Sequence, residues 1–304
     1  GSVAGFEDCE IARNDGSNGV TIYLDYEVSA YFRHCRIYDN FGSAINSILS
    51  RVILDDCVIS GHTLDPDFTV APLEVVGGTI VARNCLVYGN VGASTGGMIL
   101  SSIDGAFISN TVIAFNNSTA SLAGGEALRI SNQQGVPITI ENSILWANTS
   151  RGARSAGLLP SVALGLSGEV RYSIVEGGGP SCVDCSRHPG VHFDHVIDAD
   201  PLFQDPLSGN FNLRPGSPAI DAGDPASPPD IDGSRRDMGS WLPGLAPHYV
   251  FRRGDANADG SLDLSDAVRI LIGLFQDEDA LTCLDAADVD DNGLVQITDA
   301  ISIL

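Results

Sequence analysis

Two acidic segments near the C-terminal end of the chain have residue types and a spacing suited to a divalent cation. In the first, residues 255–266, oxygen-bearing side chains stand at loop positions 1, 3, 5, 9 and 12, glycine stands at position 6, and the main-chain carbonyl of Ser261 falls at position 7. The second, residues 288–299, repeats this arrangement 33 residues later. Calcium prefers six to eight oxygen ligands at about 2.3 to 2.6 Å, and alternate residues of a tight loop can supply them. The segments therefore predict two Ca²⁺ sites. Because crowded carboxylates repel one another without metal, we expect folding there to depend on Ca²⁺.

The loops differ from an ordinary EF-hand. Position 12 is Asp rather than Glu, residues 249–254 are predicted to be extended, and only an exiting helix is expected after each loop, at 267–275 and from Ala300. With these features, residues 254–304 resemble a dockerin, a small α-helical calcium module that joins secreted proteins to cohesin partners. The resemblance implies these Ca²⁺ ligands: Asp255, Asn257, Asp259, Ser261, Asp263 and Asp266, then Asp288, Asp290, Asn292, Leu294, Gln296 and Asp299.

The match departs from the dockerin pattern in two places. Hydroxyl pairs that face cohesins usually occupy loop positions 10 and 11, where this chain has Leu264 with Ser265 and Ile297 with Thr298. The second repeat also ends sooner after its loop than the first, so we expect a truncated module. The partner is then either a cohesin-like protein or the rest of this chain.

A repeat fills most of the chain before this module. Residues 85–90 combine a small residue, an apolar pair, two spacers and a turn former, and similar segments recur at steps of 22 to 32 residues. The other copies begin at Cys9, Cys35, Cys57, Thr111, Ser143 and Ser173. Positions three before and two after each first residue are always apolar. A coil this short cannot bury its apolar side alone, so the coils must stack. The pattern predicts a mainly β fold, a right-handed parallel β-helix of about seven coils within residues 1–242.

A further column tests the stacking. Two residues before each first position, charges alternate in sign apart from one serine: Glu7, Arg33, Asp55, Arg83, Ser109, Glu141 and Arg171. Stacked strands lie about 4.8 Å apart, so opposite charges would be neighbours. One interpretation is an exposed ion-pair ladder that helps to fix register. The other is a sugar-cleaving site in which Asp55, Glu74 and Arg83 act as base and charge stabiliser.

Composition limits the class of partner. The net charge is −23, nearly half of it in residues 255–304, which argues against nucleic acid and for bound cations. All sixteen basic residues are arginine, so a mechanism that needs lysine is excluded for this segment. No apolar run approaches the ~18 residues of a membrane span. The first residues are not those of a signal peptide, and we expect the chain to be a piece of a longer precursor.

The cysteines fall into separate groups. Cys9, Cys35, Cys57 and Cys85 share one column, where we favour small buried thiols over disulfides. Cys182 and Cys185 could form a local disulfide, or could hold zinc with the histidines that follow at 188, 192 and 195.

Residues 196–242 change character. The sequence from Ile197 to Phe203, that from Gly209 to Gly223, and the ending Asp237-Met-Gly239 resemble the closing segment of secreted bacterial right-handed parallel β-helix repeat proteins. The resemblance implies a terminal coil with an extended tail across it, and export to the cell surface or medium. A Pro-rich linker, residues 243–253, is predicted to follow.

Three functions are compatible with these features. The leading hypothesis is an extracellular scaffold or adhesion protein assembled through the calcium module. The second is a polysaccharide lyase or glycoside hydrolase. The third is a self-assembling filament in which one chain meets the next end to end.

Overall fold

The chain divides into two compact units, Gly1–Leu242 and Pro243–Leu304. The computed structural model describes residues 1–63, 71–119, 127–131, 136–150, 153–154, 158–160, 167–177, 191–230 and 232–239 of the first unit. Of the second unit it describes residues 254, 256–257, 262–276, 281, 287–290, 292 and 294–303. The predicted linker and the pair Cys182 and Cys185 lie outside these residues.

The first unit is built almost wholly from short strands. In chain order they are β1 (Val3–Glu7), β2 (Glu10–Ala12), β3 (Asp15–Asp25), β4 (Ser29–Arg33), β5 (Arg36–Tyr38), β6 (Phe41–Asp55), β7 (Val58–Ser60), β8 (Leu73–Arg83), β9 (Leu86–Tyr88), β10 (Val91–Gly92), β11 (Met98–Ser101), β12 (Gly105–Ser109), β13 (Val112–Ala114), β14 (Asn117–Ser118), β15 (Leu128–Ser131), β16 (Pro137–Glu141), β17 (Ile144–Trp146), β18 (Thr149–Ser150), β19 (Ala153–Arg154), β20 (Leu158–Pro160), β21 (Ser167–Val175), β22 (Val191–Ile197), β23 (Phe203–Asp205) and β24 (Asn210–Leu213).

The strands wind into a parallel solenoid with three faces. Sheet I stacks β1, β4, the second halves of β6 and β8, then β12, β16, β21 and β22. Sheet II stacks β2, β5, β7, β9, β13, β17 and the end of β21. Sheet III stacks β3, the first halves of β6 and β8, then β11, β15 and β20. Six turns carry described strands on all three faces, and β21 and β22 add incomplete turns at the C-terminal end.

The predicted columns are physical neighbours. On sheet I, Phe6 pairs with Phe32, Phe32 with Leu54 and Leu54 with Ala82, and the apolar column continues to Val170. On sheet II the column from Ile11 to Val175 is likewise in register. Both columns point into the core, where the rings of Phe6 and Phe32 stack with centroids 4.7 Å apart. The register that the repeat predicts is confirmed.

A single residue in the left-handed conformation makes each corner between sheets I and II. The φ angle is +51° at Asp8, +50° at His34 and +55° at Asp56. Asn84, Asn110 and Asn142 continue the same column with φ between +47° and +51°. Asp, Asn and His tolerate this conformation better than most residues because a short polar side chain can bond locally. These side chains therefore occupy a column that lets the chain turn within one residue.

A ladder of five asparagines and one histidine, here called the amide ladder, closes the other end of sheet II, and all but the exposed Asn14 are buried. Its members are Asn14, Asn40, His62, Asn90, Asn116 and Asn148. The Asn90 side chain donates to the Oδ1 of Asn116 at 2.9 Å, and Asn116 donates in the same way to Asn148. Four of the asparagines also donate to a main-chain carbonyl of the preceding turn: Asn40 to Ile11, Asn90 to Ile59, Asn116 to Val87 and Asn148 to Ile113. The ladder satisfies main-chain groups that a bare turn would leave unpaired.

The segment after β22 lies along the outside of sheet II. Strands β23 and β24 form a small antiparallel hairpin, joined by a 3₁₀ turn at Pro206–Ser208. Phe211 of this hairpin packs against Tyr88 and Phe115 of the solenoid. Farther on, the main-chain N–H of Gly239 donates to the carbonyl of Asn142 at 2.6 Å. The segment from β23 to Gly239, called the tail below, therefore contacts several turns of the solenoid.

Two helices are described in the second unit, α1 (Leu264–Phe275) and α2 (Ile297–Ile303). They pack around a small core that includes Ala267, Ile270 and Ala300. The predicted starts at 267 and 300 are wrong by three residues. Asp263 caps α1 by accepting from the N–H of Ser265, and Asp266 accepts from the N–H of Asp263, so the helix begins inside the loop. Within the described chain, no helix has the length and apolar character to cross a membrane.

Candidate functional site

The second acidic loop brings three carboxylates together. Asp288, Asp290 and Asp299 each place an oxygen within 4.8 Å of the other two. Asp288 and Asp299 are buried, with 5% and 0% of their surface exposed, whereas Asp290 faces solvent. Two oxygens bound to one Ca²⁺ at up to 2.6 Å can be no more than about 5.2 Å apart. The donor set and its spacing therefore fit a calcium ion.

Main-chain donors hold these carboxylates in place. One Asp299 oxygen accepts from the N–H of Val289 at 2.7 Å, and the other accepts from the N–H of Gln296 at 2.7 Å. The N–H of Asn292 reaches both Asp288 and Asp290, at 3.1 and 3.2 Å. The described part of the loop is thereby wound around its acidic side chains. Leu294 donates its N–H to the side chain of Asn292, which tightens the turn further.

The described part of the first loop follows the same plan. The buried Asp266 carboxylate accepts from the N–H groups of Asn257 and Asp263, at 3.1 and 3.0 Å, as Asp299 does from Asp290 and Gln296. Asp263 instead turns its carboxylate toward Ser265, and the hydrogen bonds from the Ser265 hydroxyl and N–H lower the Asp263 pKa. The other predicted ligands, Asp255, Asp259 and Ser261, lie outside the described residues.

The predicted sugar-cleaving trio is only partly assembled. Arg83 Nη1 lies 3.1 Å from Asp55 Oδ1 on sheet I. Glu74 belongs to the first half of β8 on sheet III, and the chain bends between the two halves at Gly77 and Gly78, where φ is +70° and +71°. The structure therefore places Glu74 and Arg83 on different faces of the solenoid.

Glu74 has a distinct environment on the outer side of sheet III. Its Oε2 accepts a hydrogen bond of 2.8 Å from the side chain of Asn46, its neighbour on the preceding turn. Partial burial raises the pKa of the Glu74 carboxyl. The Glu74 carboxyl could therefore exchange protons closer to neutral pH than an ordinary glutamate.

The charge column on sheet I forms ion pairs as the ladder hypothesis predicts. Arg33 lies 3.5 Å from Glu7, and Arg171 bonds Glu141 at 2.6 Å. The last pair is half-buried and is joined by Asp224 of the tail, 3.5 Å from Arg171. The ladder thus also fastens the tail, a role that sequence spacing alone could not indicate because the two residues are 53 positions apart.

The cysteine column contains free thiols. Cys35, Cys57 and Cys85 are buried and Cys9 is partly exposed, and none of the four is in a disulfide. Burial raises the pKa of Cys35 to about 11. The contact with the Cys85 thiol, together with burial, also raises the pKa of Cys57. The expectation of free thiols rather than disulfides is confirmed for all four residues, and their burial is confirmed for Cys35, Cys57 and Cys85.

Comparison with known proteins supports the solenoid. Residues 1–158 match the family described as the right handed beta helix region. The match covers just over half of the chain, and the protein therefore belongs to the right-handed β-helix family. No curated protein and no solved structure matches the chain.

Proposed function

We propose that the protein is an extracellular β-helix rod joined to a protein partner by a calcium-loaded, dockerin-like C-terminal module. The observation that carries the proposal is the convergence of Asp288, Asp290 and Asp299. Main-chain N–H groups offset part of the cost of burying Asp288 and Asp299, and a bound cation would offset the repulsion among the three carboxylates. When bound, Ca²⁺ would supply that positive charge and fix the loop that leads into α2.

The exposed faces of the two helices support a protein partner. Leu264 and Val268 lie one turn apart on α1, and Ile297 and Ile301 occupy the equivalent places on α2. All four are exposed, at 64%, 46%, 51% and 60% respectively. Exposed apolar side chains grouped on one element are typical of an interaction surface. Since Leu264 and Ile297 replace the hydroxyls expected at loop position 10, the partner should present an apolar docking face.

The proposal is tested by titrating a panel of cohesin domains into the full chain with Ca²⁺ and with EDTA. We expect calcium-dependent binding by at least one domain, and its loss in a Leu264→Ser, Ile297→Ser double variant. The matched control is Leu207→Ser, which removes an exposed leucine from the tail of the β-helix. Sedimentation of the chain alone in Ca²⁺ shows whether it associates with itself rather than with another protein. A monomer that binds no partner in Ca²⁺ would defeat the proposal.

A polysaccharide-active face is the second candidate, and Glu74 is the residue that favours it. A half-buried carboxyl with a raised pKa on an outward-facing strand is suited to general acid or base chemistry. A screen for unsaturated products from uronic-acid polymers and for reducing ends from neutral ones would test it. Activity that disappears in Glu74→Gln and survives in Asp55→Asn would support this face. No product from any polymer would retire it.

A further inference from the structure

The tail encloses a cleft against the outer face of sheet II. This tail cleft has a volume of about 460 Å³, which is within the range of small-molecule sites. Its floor is apolar, formed by Val112 and Ile144 of the sheet with Ile220 and Met238 of the tail. Val112 and Ile144 point out of the solenoid, because the next residues along each strand, Ile113 and Leu145, face its core. Val112 and Ile144 are nevertheless almost fully buried. The tail therefore shields an apolar strip on the outside of the solenoid.

Specific contacts keep the tail in this position. The Asn142 side chain accepts from the N–H of Asp224 at 2.6 Å and donates to the hydroxyl of Ser227 at 2.9 Å. Gly239 has a φ of +96°, and a Cβ built there would lie 2.8 Å from the Ile144 side chain. Glycine is thus required for the tail to approach the sheet. The cleft is a fixed feature of the fold rather than a gap between loosely packed elements.

The polar side of the cleft is negatively charged. Asp221, Asp232 and Asp237 line it, and its other polar lining groups, Gln204, Asn212 and Ser234, are uncharged. No basic side chain is among the described residues that line it. Arg236, which is nearby in sequence, pairs with Asp230 at 2.9 Å instead. The charges in the cleft are therefore not neutralised by an arginine of the lining.

The carboxylates differ in their surroundings. Asp237 is partly buried and accepts from the N–H of Asp221 at 2.7 Å. Burial raises its pKa, and the nearby Asp230, Asp221 and Asp232 act in the same direction. Asp232 is fully exposed, and hydrogen bonds from Ser234 lower its pKa. A positive group placed in the cleft would relieve the repulsion that Asp237 experiences.

We propose that the tail cleft binds an amino sugar. Three parts of its lining match three parts of such a ligand. The apolar side chains Leu213 and Ile220, which keep accessible surface in the cleft, suit the C–H face of the ring. The amides and Ser234 suit the hydroxyls, and the carboxylates suit a protonated amine. An anionic sugar would meet like charges, and a neutral sugar would leave the carboxylates without a counter-charge. A basic peptide side chain would satisfy the carboxylates but would leave the amides of Gln204 and Asn212 without hydroxyl partners.

Calorimetric titration of a β-linked glucosamine dimer into the full chain tests the proposal. The N-acetylated dimer is the matched ligand, because it has a similar ring and hydroxyls but no positive charge. We expect the glucosamine dimer to bind at least about tenfold more tightly, the size of effect that one charge-assisted contact gives. Asp221→Asn and Asp237→Asn should each weaken binding by about the same factor. Asp205→Asn, an equal charge change on the tail hairpin outside the cleft lining, should leave the affinity within about twofold.

Three outcomes would overturn the inference. Equal affinity for the two dimers would show that the carboxylates do not select a charge. Equal weakening by Asp205→Asn would indicate attraction to the net negative charge of the protein rather than to the cleft. Tighter binding of an arginine-containing peptide than of the sugar would assign the cleft to a different ligand. Circular dichroism of each variant confirms that a lost affinity is not a lost fold.

Discussion

Replacing Asn116 with alanine tests the amide ladder, which fixes the spacing of turns in this solenoid. Asn116 is completely buried. Its Oδ1 accepts from the main-chain N–H of Asn90 at 3.1 Å and from the Asn90 side chain at 2.9 Å. Its Nδ2 donates to the carbonyl of Val87 at 2.9 Å and to Asn148 Oδ1 at 2.9 Å. One side chain therefore joins three consecutive turns.

The loss of stability in Asn116→Ala follows from the hydrogen-bonding groups that lose their partner in the Asn116 side chain. Asn148 Oδ1 still accepts from the N–H of residue 116, and the Asn90 side chain still donates to Ile59. The N–H of Asn90 loses its acceptor, and the carbonyl of Val87 loses a donor. A buried group without a partner costs about 1–3 kcal/mol, and the truncation also leaves a small cavity. We expect a loss of about 3–5 kcal/mol in the free energy of unfolding, or very roughly 10 °C in melting temperature.

Asn14→Ala is the matched control, because Asn14 is exposed at the end of the same ladder and its side chain donates one bond, to Asn40. Its loss should cost less than about 1 kcal/mol. Urea unfolding followed by far-UV circular dichroism reports both variants, and an unchanged m-value would show that the same solenoid unfolds. If Asn116→Ala were no more destabilising than Asn14→Ala, the ladder would not hold the turns together.

Three further substitutions probe other parts of the fold. His62 replaces asparagine in the ladder, and burial lowers its pKa, so the native protein should lose stability as pH falls below about 6.5. His62→Asn should remove that loss, so the variant should melt at a higher temperature than the wild type at pH 5 by a larger margin than at pH 8. An equal margin at the two pH values would contradict the argument from His62. Because burial raises the pKa of Glu74, the native state loses stability as pH rises from the ordinary glutamate pKa through the raised one. Glu74→Gln should therefore raise the melting temperature at pH 7.5 more than at pH 4, and no difference between the two would contradict the burial argument. Gly239→Ala should release the tail, because its Cβ would meet Ile144 and its φ of +96° is strained for alanine. Limited proteolysis should then cut the tail faster, and an unchanged cleavage rate would mean that the tail is held elsewhere.

The solenoid could be predicted because the same pattern of residue types recurs in every turn. Aligning Cys9, Cys35 and Cys57 was enough to place Arg33 beside Asp55, since a repeat imposes the same register on every turn. The left-handed corner column was missed, although its signal was present. The residue before each first position is Asp, His or Asn in six turns, and these residue types favour that conformation.

Features that depend on long-range packing could not be read in the same way. The tail cleft needs Asp237 to meet sheet II more than a hundred residues away in sequence, and no local pattern encodes that approach. The sequence predicts the helix starts three residues too late because the loop pattern marks Asp266 and Asp299 only as metal ligands. In the structure each also accepts main-chain N–H groups at a helix start, so the loop and helix overlap. The separation of Glu74 from Arg83 depends on the bend at Gly77, which the strand pattern did not locate.

Direct titration of Ca²⁺ into the metal-free chain tests the central claim that the acidic loops are calcium sites. The wild-type protein should bind two ions with affinities tighter than about 0.1 mM and gain helical signal as they bind. An Asp288→Asn, Asp299→Asn variant should keep only the site in residues 255–266. A wild-type protein that takes up no Ca²⁺ at millimolar concentration would contradict the account.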